Sequence, residues 1–137
     1  VRKAVAFRGR YGALRGRYFL LGKDHSSPAS ADIAWYAPDL SPPRWEDPEA
    51  RALAYLLDGL HAGQAPEDYQ LLFLSNMASE PQEFRLPPAR AGRRWRRAVD
   101  TNLPPGEDFL KEGREAPLAA PGRYLVADRA IVALVAR

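Results

Sequence analysis

Apolar positions recur along the chain in two rhythms. Near the start, Phe7, Tyr11, Leu14 and Tyr18 are spaced by four, three and four, which places them on one face of a helix. Gly9, Gly12 and Gly16 interrupt that stretch. A glycine costs about 1 kcal/mol relative to alanine in a helix interior, so the predicted helix is short and packed on something else. After Gly22 the rhythm changes to short apolar or alternating runs. Ile33–Tyr36, Tyr69–Leu74, Gln82–Leu86, Arg94–Val99, Tyr124–Val126 and Ala130–Val135 each read as a strand. Between them lie a Ser-, Asp- and Pro-rich loop at 24–31, a proline-broken connection at 37–48 anchored by Trp45, and a long loop at 101–122 holding four prolines. Short strands joined by Pro/Gly loops indicate a mostly β fold, an antiparallel β-sandwich.

Residues 47–61 carry two conflicting signals. Asp47-Pro48-Glu49 is a good helix start: a cap, a proline at the first position and an acid in the first turn. Yet Leu53, Tyr55 and Leu57 alternate, and Asp58-Gly59 is a turn signal. Propensity alone favours the helix.

Composition narrows the picture mainly by exclusion. The 137 residues fit one domain and contain no cysteine, so a disulfide scaffold, a thiolate zinc site and a cysteine nucleophile are ruled out. Thirteen prolines and ten glycines argue against a long-helix bundle. No apolar run approaches the roughly 20 residues of a membrane helix, so no membrane partner is expected, and the lack of cysteine fits a reducing compartment, with a cytoplasmic location expected. The chain opens on Val1 rather than methionine, as a piece of a longer protein would. Charge is uneven: residues 1–23 carry +7, residues 24–88 carry −8 and residues 89–137 carry +4. A basic start and an acidic middle can neutralise each other within the fold or meet another domain.

Candidate chemistry is sparse. His25 and His61 lie 36 residues apart with no partner at metal-ligand spacing. There is no nucleophile elbow and no phosphate-cradling glycine loop. The acid pairs Glu46/Asp47, Glu67/Asp68 and Glu107/Asp108 sit in loops, as solvated turn residues do. Arg93-Arg94-Trp95-Arg96-Arg97 could meet a nucleic acid, but one buried tryptophan on an exposed strand is the better reading, so no nucleic-acid partner is expected. Trp35 and Trp95 fall in strand candidates and read as core. Trp45, in the proline loop, and Tyr36 are the candidate platforms for stacking on sugar rings, as an autonomous carbohydrate-binding module would use them. No catalytic residue, cofactor or metal ligand is expected in this chain.

Taken in order, the residues resemble the C-terminal end of bacterial glycogen debranching enzymes, the isoamylase-type members of the α-amylase superfamily. Phe7-Arg8 and Leu14–Leu20 resemble the last barrel helix and the segment leaving it. Asp32-Ile33-Ala34-Trp35-Tyr36-Ala37-Pro38-Asp39 is similar to the family's Asp-Ile-x-Trp-(aromatic)-x-Pro-Asp-Gly segment, with Leu40 standing where the family has glycine. Trp45, Asp47–Ala54 and Leu56–Gly59 resemble the next block, and Leu71–Asn76 the family strand ending in Asn, without its following histidines. Phe84–Pro87, Trp95, Val99–Thr101, Tyr124–Val126 and Arg129 complete the likeness.

The resemblance implies that Leu53–Leu57 is a strand. It implies a remnant of the last (β/α)8-barrel helix and exit segment at 1–22 and a C-terminal β-sandwich at 23–137. The family hydrolyses α-1,6 branch linkages through an aspartate nucleophile and a glutamate acid/base. Those residues lie in the barrel, and none carries over to this chain. By the same resemblance the sandwich is a non-catalytic accessory domain that packs on and stabilises the barrel. Its barrel-packing face is then Phe7, Tyr11, Leu14 and Tyr18.

Overall fold

The computed structural model describes residues 1–16, 19–22, 31–61 and 67–137. Helix α1 (Arg2–Arg10) is followed by a 3-10 turn (Gly12–Arg15) and eight strands. These are β1 (Ile33–Tyr36), β2 (Ala52–Asp58), β3 (Gln70–Asn76), β4 (Gln82–Arg85), β5 (Arg96–Asp100), β6 (Ala116–Pro117), β7 (Arg123–Val126) and β8 (Ala130–Ala136). Six of them form an antiparallel sheet in the order β1-β2-β3-β8-β5-β6, and β4 pairs with β7 in a second, two-stranded sheet.

The large sheet is apolar on both faces. On one, Leu56, Leu72 and Leu134 lie side by side across β2, β3 and β8. The β4–β7 pair covers this face, burying Phe84 and Val126 completely against Leu72, Leu74, Val132 and Leu134. On the other face, Ile33, Leu57, Leu71 and Val135 are in register across four strands. Here the cover is α1 and the 3-10 turn, through Phe7, Tyr11 and Ala13. A strand buried on both sides reads as a nearly continuous apolar run, which is why 52–57, 71–74 and 130–136 are so dense in leucine, valine and alanine.

That double burial also resolves the conflict at 47–61. Asp47 does begin a turn: its Oδ1 accepts the Glu49 N–H at 3.0 Å, and its carbonyl accepts the Ala50 N–H at 3.1 Å. The helix goes no further, because Leu56 and Leu57 must face opposite layers while β2 ladders to β1 and β3 at once. A helix could bury only one stripe, so tertiary pairing overrides local propensity.

The N-terminal helix is shorter than its spacing predicts. It ends at Tyr11, whose backbone is extended at φ −108° and ψ 117°. The inward spacing survives through the 3-10 turn, where the buried Ala13 N–H donates to the Tyr69 hydroxyl at 2.9 Å. Phe7 and Tyr11 are buried and Leu14 packs against them. Their partner, however, is this chain's own sheet rather than a preceding domain. Phe7 meets Phe73 edge-on at 6.3 Å, and Tyr11 meets Tyr69 at 5.0 Å. Within this chain, the three residues expected on a barrel-packing face are therefore covered by the sheet. Tyr18 lies outside the described residues.

Polar side chains fasten the layers. Asn76, fully buried at the end of β3, donates to the carbonyls of Glu80, Val126 and Ala127 and accepts the Ala78 N–H. One amide thus ties the large sheet to the end of β7. Asp32 accepts the N–H groups of Leu21 and Gly22, each at 2.8 Å, and pins the exit segment to the start of β1. Tyr124 of β7 donates to Asp100 of β5 at 2.7 Å. Burial, then that carboxylate, push the Tyr124 phenol well above its ordinary pKa. Gly59 follows β2 where a Cβ would stand 2.6 Å from the Glu67 carbonyl, so the turn admits only glycine without movement.

Leu40 completes the turn after β1 at φ 71°, a left-handed conformation. The turn is closed by Leu40 N–H on the Ala37 carbonyl at 3.0 Å and Ala37 N–H on the Ser41 carbonyl at 2.8 Å. A left-handed residue with a Cβ costs about 1–2 kcal/mol, partly offset by the about 0.5–1 kcal/mol of extra chain entropy a glycine loses. Leu40→Gly is therefore expected to stabilise the chain by roughly 0.5–1 kcal/mol, read as a higher midpoint in urea unfolding with an unchanged slope.

Candidate functional site

A row of aromatic rings crosses the helix-covered face and runs out to the edge strand. Trp35, Tyr55 and Phe73 are in register on β1, β2 and β3. Tyr55 stacks on Phe73 at 4.8 Å with planes 12° apart, and Trp35 leans on Tyr55 at 5.2 Å. Trp45 closes the row from the connection between β1 and β2, meeting Trp35 edge-on at 5.6 Å and 77°. The inner end of the row, at Phe7, is sealed under α1. The outer end is open, with Trp35 exposed by 40% and Trp45 by 65%.

Turns hold Trp45 in place. The Asp47 N–H bonds to the Arg44 carbonyl and the Ala50 N–H to the Asp47 carbonyl, each at 3.1 Å. Beside the ring lies a concavity of about 280 Å³, lined by Arg44, Asp47, Glu49, Arg51 and Gln82 together with small apolar residues. Arg44 pairs with Asp47 at 3.5 Å and Arg51 with Glu49 at 3.3 Å, both on the surface.

The two candidate stacking residues are not brought together. Adjacent strand residues point to opposite faces, and Tyr36 packs with Ala34 against the inter-sheet cluster, where burial raises its phenol pKa. Trp45 instead finds Trp35, which its strand position marked as core. Alternation does place Trp35 on the same face as the buried Ile33, but β1 is the sheet's edge and nothing in the pattern says so. Trp95 is buried as expected, its indole N–H donating to the Pro87 carbonyl at 2.7 Å, although it precedes β5 rather than lying within it.

The basic segment after Pro88 serves the fold. Asp58 is fully buried at the end of β2, and Arg90 donates to its two oxygens at 2.7 and 2.5 Å. Arg90 and Arg93 also both pair with Asp68. Arg97 donates to the Glu107 carbonyl at 2.7 Å. The acidic middle of the chain is thus partly neutralised by the arginines that follow it. The basic start finds a different acidic stretch: Lys3 pairs with Asp108 at 2.6 Å and Arg10 with Glu112 at 3.7 Å. Glu115, another buried acid, is held by Arg137 at 2.9 Å. His61 is half-buried in the turn after β2, and His25 lies outside the described residues. Among the described residues no cluster of three or more His, Cys, Asp or Glu could hold a metal ion, and no helix is long and apolar enough to cross a membrane.

The fold defines the class, an antiparallel β-sandwich domain whose buried acids Asp58 and Glu115 are tied to Arg90 and Arg137. Comparison with known proteins names the class more closely. Residues 32–135 match the family described as isoamylase, C-terminal. The chain is also 33% identical over 104 residues to isoamylase 2, chloroplastic, of Arabidopsis thaliana, across 69% of this chain and 12% of that protein. The chain belongs to the isoamylase C-terminal family, and it spans only about an eighth of that relative's length.

The Asp58–Arg90 pair yields a direct test. Removing one partner strands a buried charge, at a cost of about 3–5 kcal/mol. Arg90→Ala is expected to destabilise the chain by that amount in denaturant unfolding, with Arg90→Lys recovering part of the loss.

Proposed function

We propose that this chain is the accessory, non-catalytic C-terminal domain of a debranching enzyme whose parent polypeptide hydrolyses α-1,6 branch linkages in glycogen-type glucans. In this reading the domain packs on and stabilises the catalytic barrel that precedes it. Family membership supports the debranching setting.

The observation that carries the packing role is the two-sidedness of α1. The helix lies outside the family-matched segment, which begins at residue 32. Its inner side, Phe7, is sealed on the sheet, while Val5 points outward and is exposed by 64%. The segment leaving it adds Phe19 and Leu21, exposed by 94% and 60%. A helix with apolar residues on opposite sides fits between two layers better than on a surface. The sandwich is one layer, and the barrel is the other. This reading moves the docking surface from Phe7, Tyr11 and Leu14 to the outer side of the same helix.

The test uses Val5→Asp in the parent polypeptide. Seating a carboxylate in an apolar contact is expected to cost about 2 kcal/mol or more. It should therefore lower the melting temperature and the release of reducing ends from glycogen. The same change in the 137-residue chain alone is expected to leave its melting temperature nearly unchanged, because Val5 is exposed there. Full activity and stability of the altered parent would remove the basis for the docking role.

A further inference from the structure

We propose that the concavity beside Trp45 is a binding site for a neutral polyhydroxylated chain, an α-glucan strand, formed by Trp45 as platform and by Arg44, Asp47, Glu49, Arg51 and Gln82 as hydroxyl partners. That the sugar is an α-glucan rests on the debranching reading; that the ligand is a saccharide rests on the site itself.

The site offers the two surfaces a sugar needs. A pyranose ring presents a flat array of C–H groups, which an exposed indole face covers, and a rim of hydroxyls, which planar carboxylate, amide and guanidinium groups bind. Trp45 leaves about two-thirds of its surface in water, at 65% exposure, yet its ring leans on Trp35 and its backbone lies in a turn closed by the Asp47 N–H on the Arg44 carbonyl. A large apolar ring held rigid in solvent is pre-organised, so little conformational entropy is lost when a partner stacks on it.

Charge selects the class of ligand. The concavity holds two arginines, one aspartate and one glutamate and is formally neutral. A phosphate-bearing polymer would meet both carboxylates, and a cation both guanidiniums. A neutral polyol meets neither penalty. The existing pairs, Arg44–Asp47 and Arg51–Glu49, are exposed at 3.5 and 3.3 Å. Surface pairs of this kind contribute little, so hydroxyls can replace their partners at small cost. The volume, about 280 Å³, falls just below the roughly 300–1,000 Å³ of small-molecule sites. Since Arg44, Trp45, Glu49 and Arg51 are all exposed, the site suits a short stretch of a chain passing over it.

The experiment is isothermal titration of maltoheptaose, and separately of cellohexaose, into the 137-residue chain. Saturable binding of maltoheptaose is expected with a dissociation constant of about 1 mM. Trp45→Ala should weaken it at least about tenfold, the loss of one stacking contact. Gln82→Ala, which leaves the Trp35–Trp45 contact intact, should weaken it severalfold, and melting curves of both variants confirm that the fold is kept. No heat with either sugar at about 10 mM, or undiminished binding by Trp45→Ala, overturns the site. Binding of cellohexaose alone overturns the α-glucan assignment. None of these outcomes bears on reducing-end release by the parent polypeptide, so a failed debranching reading shows itself separately.

Discussion

A sheet that is apolar on both faces has to be covered twice, and that requirement shapes the molecule. With Leu56, Leu72 and Leu134 on one side and Leu57, Leu71 and Val135 on the other, neither face can be left to water. The chain supplies one cover from inside the family-matched segment, the β4–β7 pair. The second cover, α1, comes from before that segment. The sandwich therefore depends on a helix outside its own family boundary, and that helix leaves Val5 exposed on its outer side. Proposed docking to a preceding catalytic domain follows from the same requirement: the element that completes this core is also the element that faces away from it.

Buried polar groups then fix which arrangement of layers forms. Asn76, Asp32, Asp58, Asp100 and Glu115 are each buried and each bonded across elements rather than within one. A carboxylate or amide placed so must find its designated donors or remain desolvated at a cost of about 1–3 kcal/mol, more for a charge. These buried acids are, by position, fasteners. What the fold leaves unfastened lies at the β1 edge, where the aromatic row runs into solvent and the Trp45 concavity opens.

Much of this was legible in the residues. Strands at β1, β3, β4, β7 and β8 follow from alternation and turn signals, and the antiparallel sandwich follows from their spacing. Asp58-Gly59 marked its turn, for the reason that no side chain fits there. The failures share a cause. The helix signal at 47–57 is real as far as Ala50, but the ladders on both sides of β2 are non-local and leave no local mark. Spacing groups Phe7, Tyr11 and Leu14 on one face but never reports what covers that face, which within this chain is the sheet. Trp35 was taken for core since edge and centre strands share one alternation pattern. The positive φ of Leu40 was invisible except through resemblance, which places glycine at that position.

The central claim is that α1 joins two layers into one cooperative unit. Differential scanning calorimetry of the parent polypeptide tests it most directly. One transition in which this domain and the preceding one unfold together is predicted, separating into two when Val5 becomes aspartate. Two independent transitions in the unaltered parent, one coinciding with the melting of the 137-residue chain alone, would contradict it.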